Sequence, residues 1–257
     1  MHTGLSVFCP EKAEKRTTYR VAYLLHGLHG DNRTWLYNAM VPLIAKHADT
    51  VFIMPEVGRS FYADMKFGYR YFTYISQELP EICKRNFTIS TKREDTAVIG
   101  CSMGGYGALK LALSKPAQYG FCGAISPACL FLNEILQNLR KEWERYSQTG
   151  PDAASIVHDL KMIFGEDFQY GSSDIILKLA KNAARSVEES EKNHVEKPKI
   201  YMTCGTEDNL LEENRRFAEE MKKMMFDYTY EEWTGAHDWQ FFNESLIKAM
   251  QSWDMQA

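Results

Sequence analysis

The segment Thr96-Ala97-Val98-Ile99-Gly100-Cys101-Ser102-Met103-Gly104-Gly105-Tyr106-Gly107-Ala108-Leu109 joins a short apolar run to a glycine-rich helix start. Six residues, Thr96–Cys101, have the length and composition of a strand buried on both faces. Gly100-Cys101-Ser102-Met103-Gly104 fits the pattern GxSxG. A chain of this length shows that pattern by chance roughly one time in ten, so its setting decides. Strand, sharp turn and helix are the setting that lifts a serine hydroxyl clear of the backbone. Side chains two residues before and after such a bend would collide, and Gly100 and Gly104 remove them. The helix that follows points free N–H groups and its positive dipole end toward Ser102.

Outward from this segment the same grammar repeats. Val21–Leu25, Val51–Met54, Phe121–Ser126 and Lys199–Cys204 are apolar runs of strand length, each ended by Gly or Pro or a turn. Ile75–Arg85, Met103–Ser114 and Glu212–Met225 read as helices between them. Alternation of this kind predicts a mostly parallel sheet with helices on both faces. Reactive groups then gather in the loops beyond the carboxyl ends of the strands. From Ala128 to Val195 no strand is legible and helices follow one another. This stretch reads as a helical cap inserted into a single domain spanning 1–257, with crossover helices on the sheet as the plainer alternative.

A serine needs a base. In the elbow arrangement the order along the chain is serine, acid, histidine. His237 stands in Gly235-Ala236-His237-Asp238-Trp239, after the strand-like Tyr228–Trp233, and is the expected base. His2 is terminal, and His47, His158 and His194 read as solvated. Cys204-Gly205-Thr206-Glu207-Asp208 offers two orienting acids after the preceding strand. Asp208 is preferred to Glu207 because it lies deeper in the loop and is shorter. The turn His26-Gly27-Leu28-His29-Gly30 follows the first buried strand, so the main-chain N–H groups of Leu28 and Met103 are the expected oxyanion donors, and His26 is expected to bond nearby backbone. Trp35, Tyr62, Tyr69 and Trp239 are candidates to line the substrate pocket. Cys101 precedes the apex and is a poor alternative nucleophile.

Composition bounds these expectations. The chain has 257 residues, 45% hydrophobic and 25% charged, with a net charge of −4. A chain this long buries about 70–75% of its unfolded surface and needs no staple. The charge gives no footprint for nucleic acid. No window approaches the roughly 18 apolar residues of a membrane span, and Met1–Pro10 lacks the layout of a signal peptide. The six cysteines form no CxxC pair, so neither a metal nor another cofactor is expected, and a reducing cytoplasm is the expected compartment. The expected partner is a small-molecule ester; a homo-oligomer is left open.

Tyr23–Leu28, Gly100–Gly107, Cys204–Asp208 and His237–Trp239 together resemble the esterase D-like group of α/β-hydrolases, and within it the bacterial tributyrin esterases. The resemblance runs from about Val21 to the C-terminus and is weakest across Ala128–Val195. It implies an α/β-hydrolase fold and a carboxylesterase for short acyl chains, with Ser102, Asp208 and His237 as the triad and Leu28 and Met103 as oxyanion donors. S-formylglutathione hydrolases and feruloyl esterases belong to the wider group and supply the rival readings. An acyltransferase or a non-catalytic binding protein on the same fold would be further alternatives. Members usually carry one or two more strands before the first motif, where this chain offers only Leu5–Pro10, so a shortened N-terminus is expected.

Overall fold

The computed structural model describes residues 2–10, 18–47, 49–189 and 196–255. His194, the side chain of His47 and the end of the 128–195 insertion lie outside these residues. Among the described residues seven strands form one sheet: β1 (Leu5–Phe8), β2 (Arg20–Leu25), β3 (Thr50–Pro55), β4 (Thr96–Cys101), β5 (Phe121–Ile125), β6 (Lys199–Gly205) and β7 (Tyr228–Trp233). Their order is β1-β3-β2-β4-β5-β6-β7, with β1 antiparallel to β3 and every other pairing parallel. The helices are α1 (Thr34–Asn38), α2 (Val41–His47), α3 (Tyr71–Thr73), α4 (Leu79–Asn86), α5 (Met103–Ser114), α6 (Leu132–Ser147), α7 (Pro151–Phe164), α8 (Ile176–Glu189), α9 (Leu211–Lys222) and α10 (Trp239–Asp254).

Strand alternation sorts the core into two layers. In β2, Val21, Tyr23 and Leu25 face one layer, and Ala22 and Leu24 face the other. The first layer takes α4 through α9, and the second takes α1, α2 and α10. This two-sided burial is why the strands read as unbroken apolar runs rather than alternating ones. The result is a mostly parallel sheet flanked by helices, the arrangement that the resemblance to α/β-hydrolases implies.

The described part of the segment between β5 and β6 holds α6, α7, a 3₁₀ turn at Ser172–Asp174 and α8. Leu136, Leu139, Val157, Leu160, Ile163 and Phe168 extend the first core layer. A buried ion pair fastens it to α5, Lys110 Nζ lying 2.8 Å from Asp174 Oδ1. Burial pulls the Lys110 pKa down and the Asp174 carboxylate works against that pull. Among the described residues no helix is long and apolar enough to cross a membrane.

Parallel pairing places the carboxyl ends of β2, β4, β5, β6 and β7 along one edge. The chain leaves β2 for β3 on one side and returns as β4 on the other, so the loops after β2 and β4 diverge there. Leu25 pairs with Gly100 at that point, which sets the turn after β2 beside Ser102. Such a switch point is where open α/β sheets carry their ligand crevice.

Candidate active site

Ser102 sits at φ 56°, ψ −120°, between the end of β4 and the start of α5. A non-glycine residue at positive φ is costly, and surrounding structure must hold it there. Three backbone bonds do so: Ser102 N–H donates to Ile125 O at 2.9 Å, and Ser102 O accepts from Tyr106 N–H at 3.1 Å and from Ala128 N–H at 3.2 Å. The flanking glycines are obligatory. A Cβ on Gly100 would lie 2.3 Å from Gly104 O, and one on Gly104 would lie 2.2 Å from Leu25 O. The sequence reason for GxSxG is thus visible as two backbone contacts too close for any side chain.

The loops after β6 and β7 meet in the same way. A Cβ on Gly205 would lie 2.1 Å from Gly235 O. Glu207 N–H donates to Gly235 O at 2.9 Å, and Thr206 N–H donates to Trp233 O at 2.9 Å. This contact brings Asp208 and His237 together: His237 Nδ1 donates to Asp208 Oδ2 at 2.7 Å. The second carboxylate oxygen accepts from Leu210 N–H at 2.8 Å. Burial pushes the Asp208 pKa up, but the bonds from His237 and Leu210, the His237 charge and the Ser126 hydroxyl outweigh it and hold it below the ordinary value. Asp208 is buried while Glu207 is exposed, which separates the two acids that sequence left as candidates. Asp238 is occupied otherwise, capping α10 through Phe241 N–H at 3.0 Å.

With Nδ1 donating to the carboxylate, Nε2 of His237 carries the free lone pair. The ring packs edge-on to Phe242 at 5.0 Å. His237 and Ser102 line one cavity of about 320 Å³, with Gly27, Leu28, His29 and Trp239 around them. No hydrogen bond joins Ser102 Oγ to His237 among the described residues. Catalytic bonds of this kind commonly tighten only once substrate is bound.

The turn after β2 is braced from behind. His26 is buried; its Nδ1 donates to Gly27 O at 2.8 Å and its Nε2 accepts from Val57 N–H at 3.2 Å. Both nitrogens are used with the ring neutral. Burial lowers the His26 pKa, against the Gly27 carbonyl and the charges of Glu56 and Asp31, which raise it. Below the ordinary imidazole value near 6.5 the unfolded chain therefore binds more protons at this site than the native one. Stability should fall as pH drops through that region, by at most about 1.4 kcal/mol per pH unit from this group. Urea unfolding at pH 7.5 to 5 should show His26→Asn with a shallower acid slope than the parent chain. Equal slopes would contradict this role.

Of the four pocket candidates, Trp239 lines the cavity and the other three do not. Trp35 is fully buried because its indole N–H reaches Leu25 O at 3.0 Å, and it supports Trp239 edge-on at 5.1 Å. Tyr62 is fully buried, its hydroxyl donating to His26 O at 2.9 Å, and a Cβ on Gly107 would meet its ring at 2.4 Å. Tyr69 is about half exposed and packs against Tyr71. Sequence reasoning missed Phe242 and His29. Phe242 follows Trp239 by three residues, one helical turn, so the apolar spacing at the start of α10 was the available signal. Among the described residues, none of those lining the cavity comes from 128–195.

Residues 2–252 match the family model described as "Putative esterase". An acetyl esterase of Caldicellulosiruptor saccharolyticus is 31% identical over 233 residues, covering 90% of this chain and 82% of that protein. Among solved structures, the fluorophosphonate-binding serine hydrolase F of Staphylococcus aureus superposes with a TM-score of 0.79 at 26% identity, over 98% of this chain and 92% of the other. S-formylglutathione hydrolase of the same organism gives a TM-score of 0.77 at 26% identity, over 98% and 93% of the two chains.

Proposed function

Because the chain belongs to the esterase family and is a serine carboxylic-ester hydrolase, we propose that Ser102 is its nucleophile, His237 its base and Asp208 the acid that orients the base. The observation that carries this reading is the 2.7 Å bond from His237 Nδ1 to a buried Asp208, within a cavity that the strained Ser102 shares. Ser102 Oγ attacks the ester carbonyl carbon and its proton passes to His237 Nε2. The carbonyl oxygen becomes an oxyanion, for which the donors are the N–H groups of Leu28 and Met103. Met103 opens α5, so its N–H has no acceptor within the helix. Leu28 follows Gly27, where a Cβ would lie 3.5 Å from Ser102 Cβ. The intermediate collapses, the alcohol leaves with the proton from His237, and an acyl-Ser102 remains. His237 then takes a proton from water, whose oxygen attacks the acyl carbon; as this second intermediate collapses, the bond from the acyl carbon to Ser102 Oγ breaks, His237 returns the proton to Oγ and the acid is released.

The substrates of this reading are short-acyl esters. A cavity of about 320 Å³ is at the small end of ligand sites, and the acetyl esterase relative acts in the same direction. The thiols of this chain are free, and burial pushes those of Cys83, Cys101, Cys122 and Cys204 up, consistent with a reducing cytoplasm as the compartment. The insertion 128–195 on this reading caps the sheet beside the cavity and influences it through the loop around Arg59.

S-formylglutathione is the second reading, favoured by the superposition on that hydrolase. It would place two carboxylates at the site, and no lysine or arginine is among the cavity-lining residues described. A rate panel over acetyl, butyryl, octanoyl and feruloyl esters and S-formylglutathione separates the two. The expected order has acetyl and butyryl esters fastest, with octanoyl at least tenfold slower. Dominant turnover of S-formylglutathione would overturn the assignment.

A further inference from the structure

The turn after β2 carries a second imidazole that the reaction above does not use. His29 lines the cavity with Ser102 and Trp239. Its Nδ1 lies 3.3 Å from Arg59 Nη1 in a hydrogen bond. A guanidinium has only N–H groups to offer, so Nδ1 accepts, the ring is neutral and its proton is on Nε2. Arg59 is fixed from the insertion: its Nε donates to Asp159 Oδ2 at 2.6 Å and its Nη2 to Ser155 Oγ at 2.9 Å, both on α7. The chain Asp159–Arg59–His29 therefore holds one imidazole in one tautomer, as Asp208 does for His237. Among the described residues no acceptor for His29 Nε2 is found, so this exposed ring at the rim of the cavity has a donor left to offer.

We infer that His29 is a specificity-determining residue, donating Nε2–H to an oxygen on the alcohol part of the substrate, and that the preferred substrates are short-acyl monoesters of neutral polyols or sugars. This rests on the short-acyl reading of the Ser102 site. In such an ester the carbonyl oxygen is already taken by the Leu28 and Met103 donors, and a short acyl chain has no further acceptor. A third donor can then address only the alcohol. The alcohol is neutral because Arg59 is balanced by Asp159 and the charged side chain on the wall, Asp238, is negative.

The test compares glycerol 1-monoacetate with n-propyl acetate, which share a skeleton and differ in two hydroxyls. The quantity read is the ratio of their kcat/KM values. A single neutral hydrogen bond is worth roughly a threefold to tenfold preference, so His29→Ala should lower the ratio by that factor. His29→Gln, whose amide keeps an N–H donor, should restore part of it, and Arg59→Met should lower it by freeing the tautomer. A ratio unchanged by both His29 substitutions, with both esters still cleaved, would overturn this inference alone. A parent chain that cleaves neither ester would instead overturn the short-acyl reading beneath it.

Discussion

Ser102→Ala is expected to lower kcat for a short-acyl ester by about 10⁵–10⁶, the loss seen when a triad nucleophile is removed and only binding and oxyanion donors remain. The fold should survive, because the bonds that hold the bend are made by the Ser102 backbone and by Gly100 and Gly104 rather than by the hydroxyl. Circular dichroism and the urea midpoint should therefore match the parent chain within a few tenths of a molar. A variant with a tenth of parental activity would mean that another group attacks the ester. Cys101 is the neighbouring candidate, and its thiol is buried, with a pKa pushed up to about 12 by desolvation. That state is inert rather than nucleophilic.

Asp208→Asn is the second large effect, with kcat expected to fall about 10⁴-fold. The reason is tautomeric rather than steric. Asp208 Oδ1 accepts from Leu210 N–H, and an asparagine oxygen keeps that bond. The asparagine NH₂ then faces His237 Nδ1 and makes it an acceptor. The ring proton moves to Nε2, the atom that must take the serine proton, and the base is disabled with its geometry intact. Glu207→Gln is the control: Glu207 is exposed and its loss should leave kcat within about twofold. Equal losses in the two variants would show that the orienting acid has been misassigned.

The difference between these acids shows what sequence carries and what it does not. The strands from β2 to β6 were legible because burial on both faces leaves an unbroken apolar run. The bend at Ser102 was legible because its glycines are forced by backbone contacts that no side chain survives. Asp208 and His237 could be placed by chain order, since each follows its strand. Of the pocket wall, only Trp239 among the four expected residues could be placed. Trp35, Tyr62 and Tyr69 are aromatic for reasons of support and packing, and a buried ring with a satisfied polar tip has the same composition as a ring lining a cavity. Trp35 illustrates this: its indole bond to Leu25 O depends on how α1 crosses the end of β2, which no local pattern encodes. The bond from Arg59 to His29 spans 30 residues and its anchor at Asp159 spans 100, so that network exists only in the folded chain.

The measurement that bears most directly on the account is covalent labelling. Incubation with a serine-reactive phosphonate ester, followed by peptide mapping, should place one adduct per chain on Ser102. Labelling should slow by several orders of magnitude in His237→Ala, which keeps the hydroxyl but lacks the base. A chain that stays unlabelled, or one labelled at another residue while ester hydrolysis is lost, would contradict the assignment of Ser102 as the attacking group.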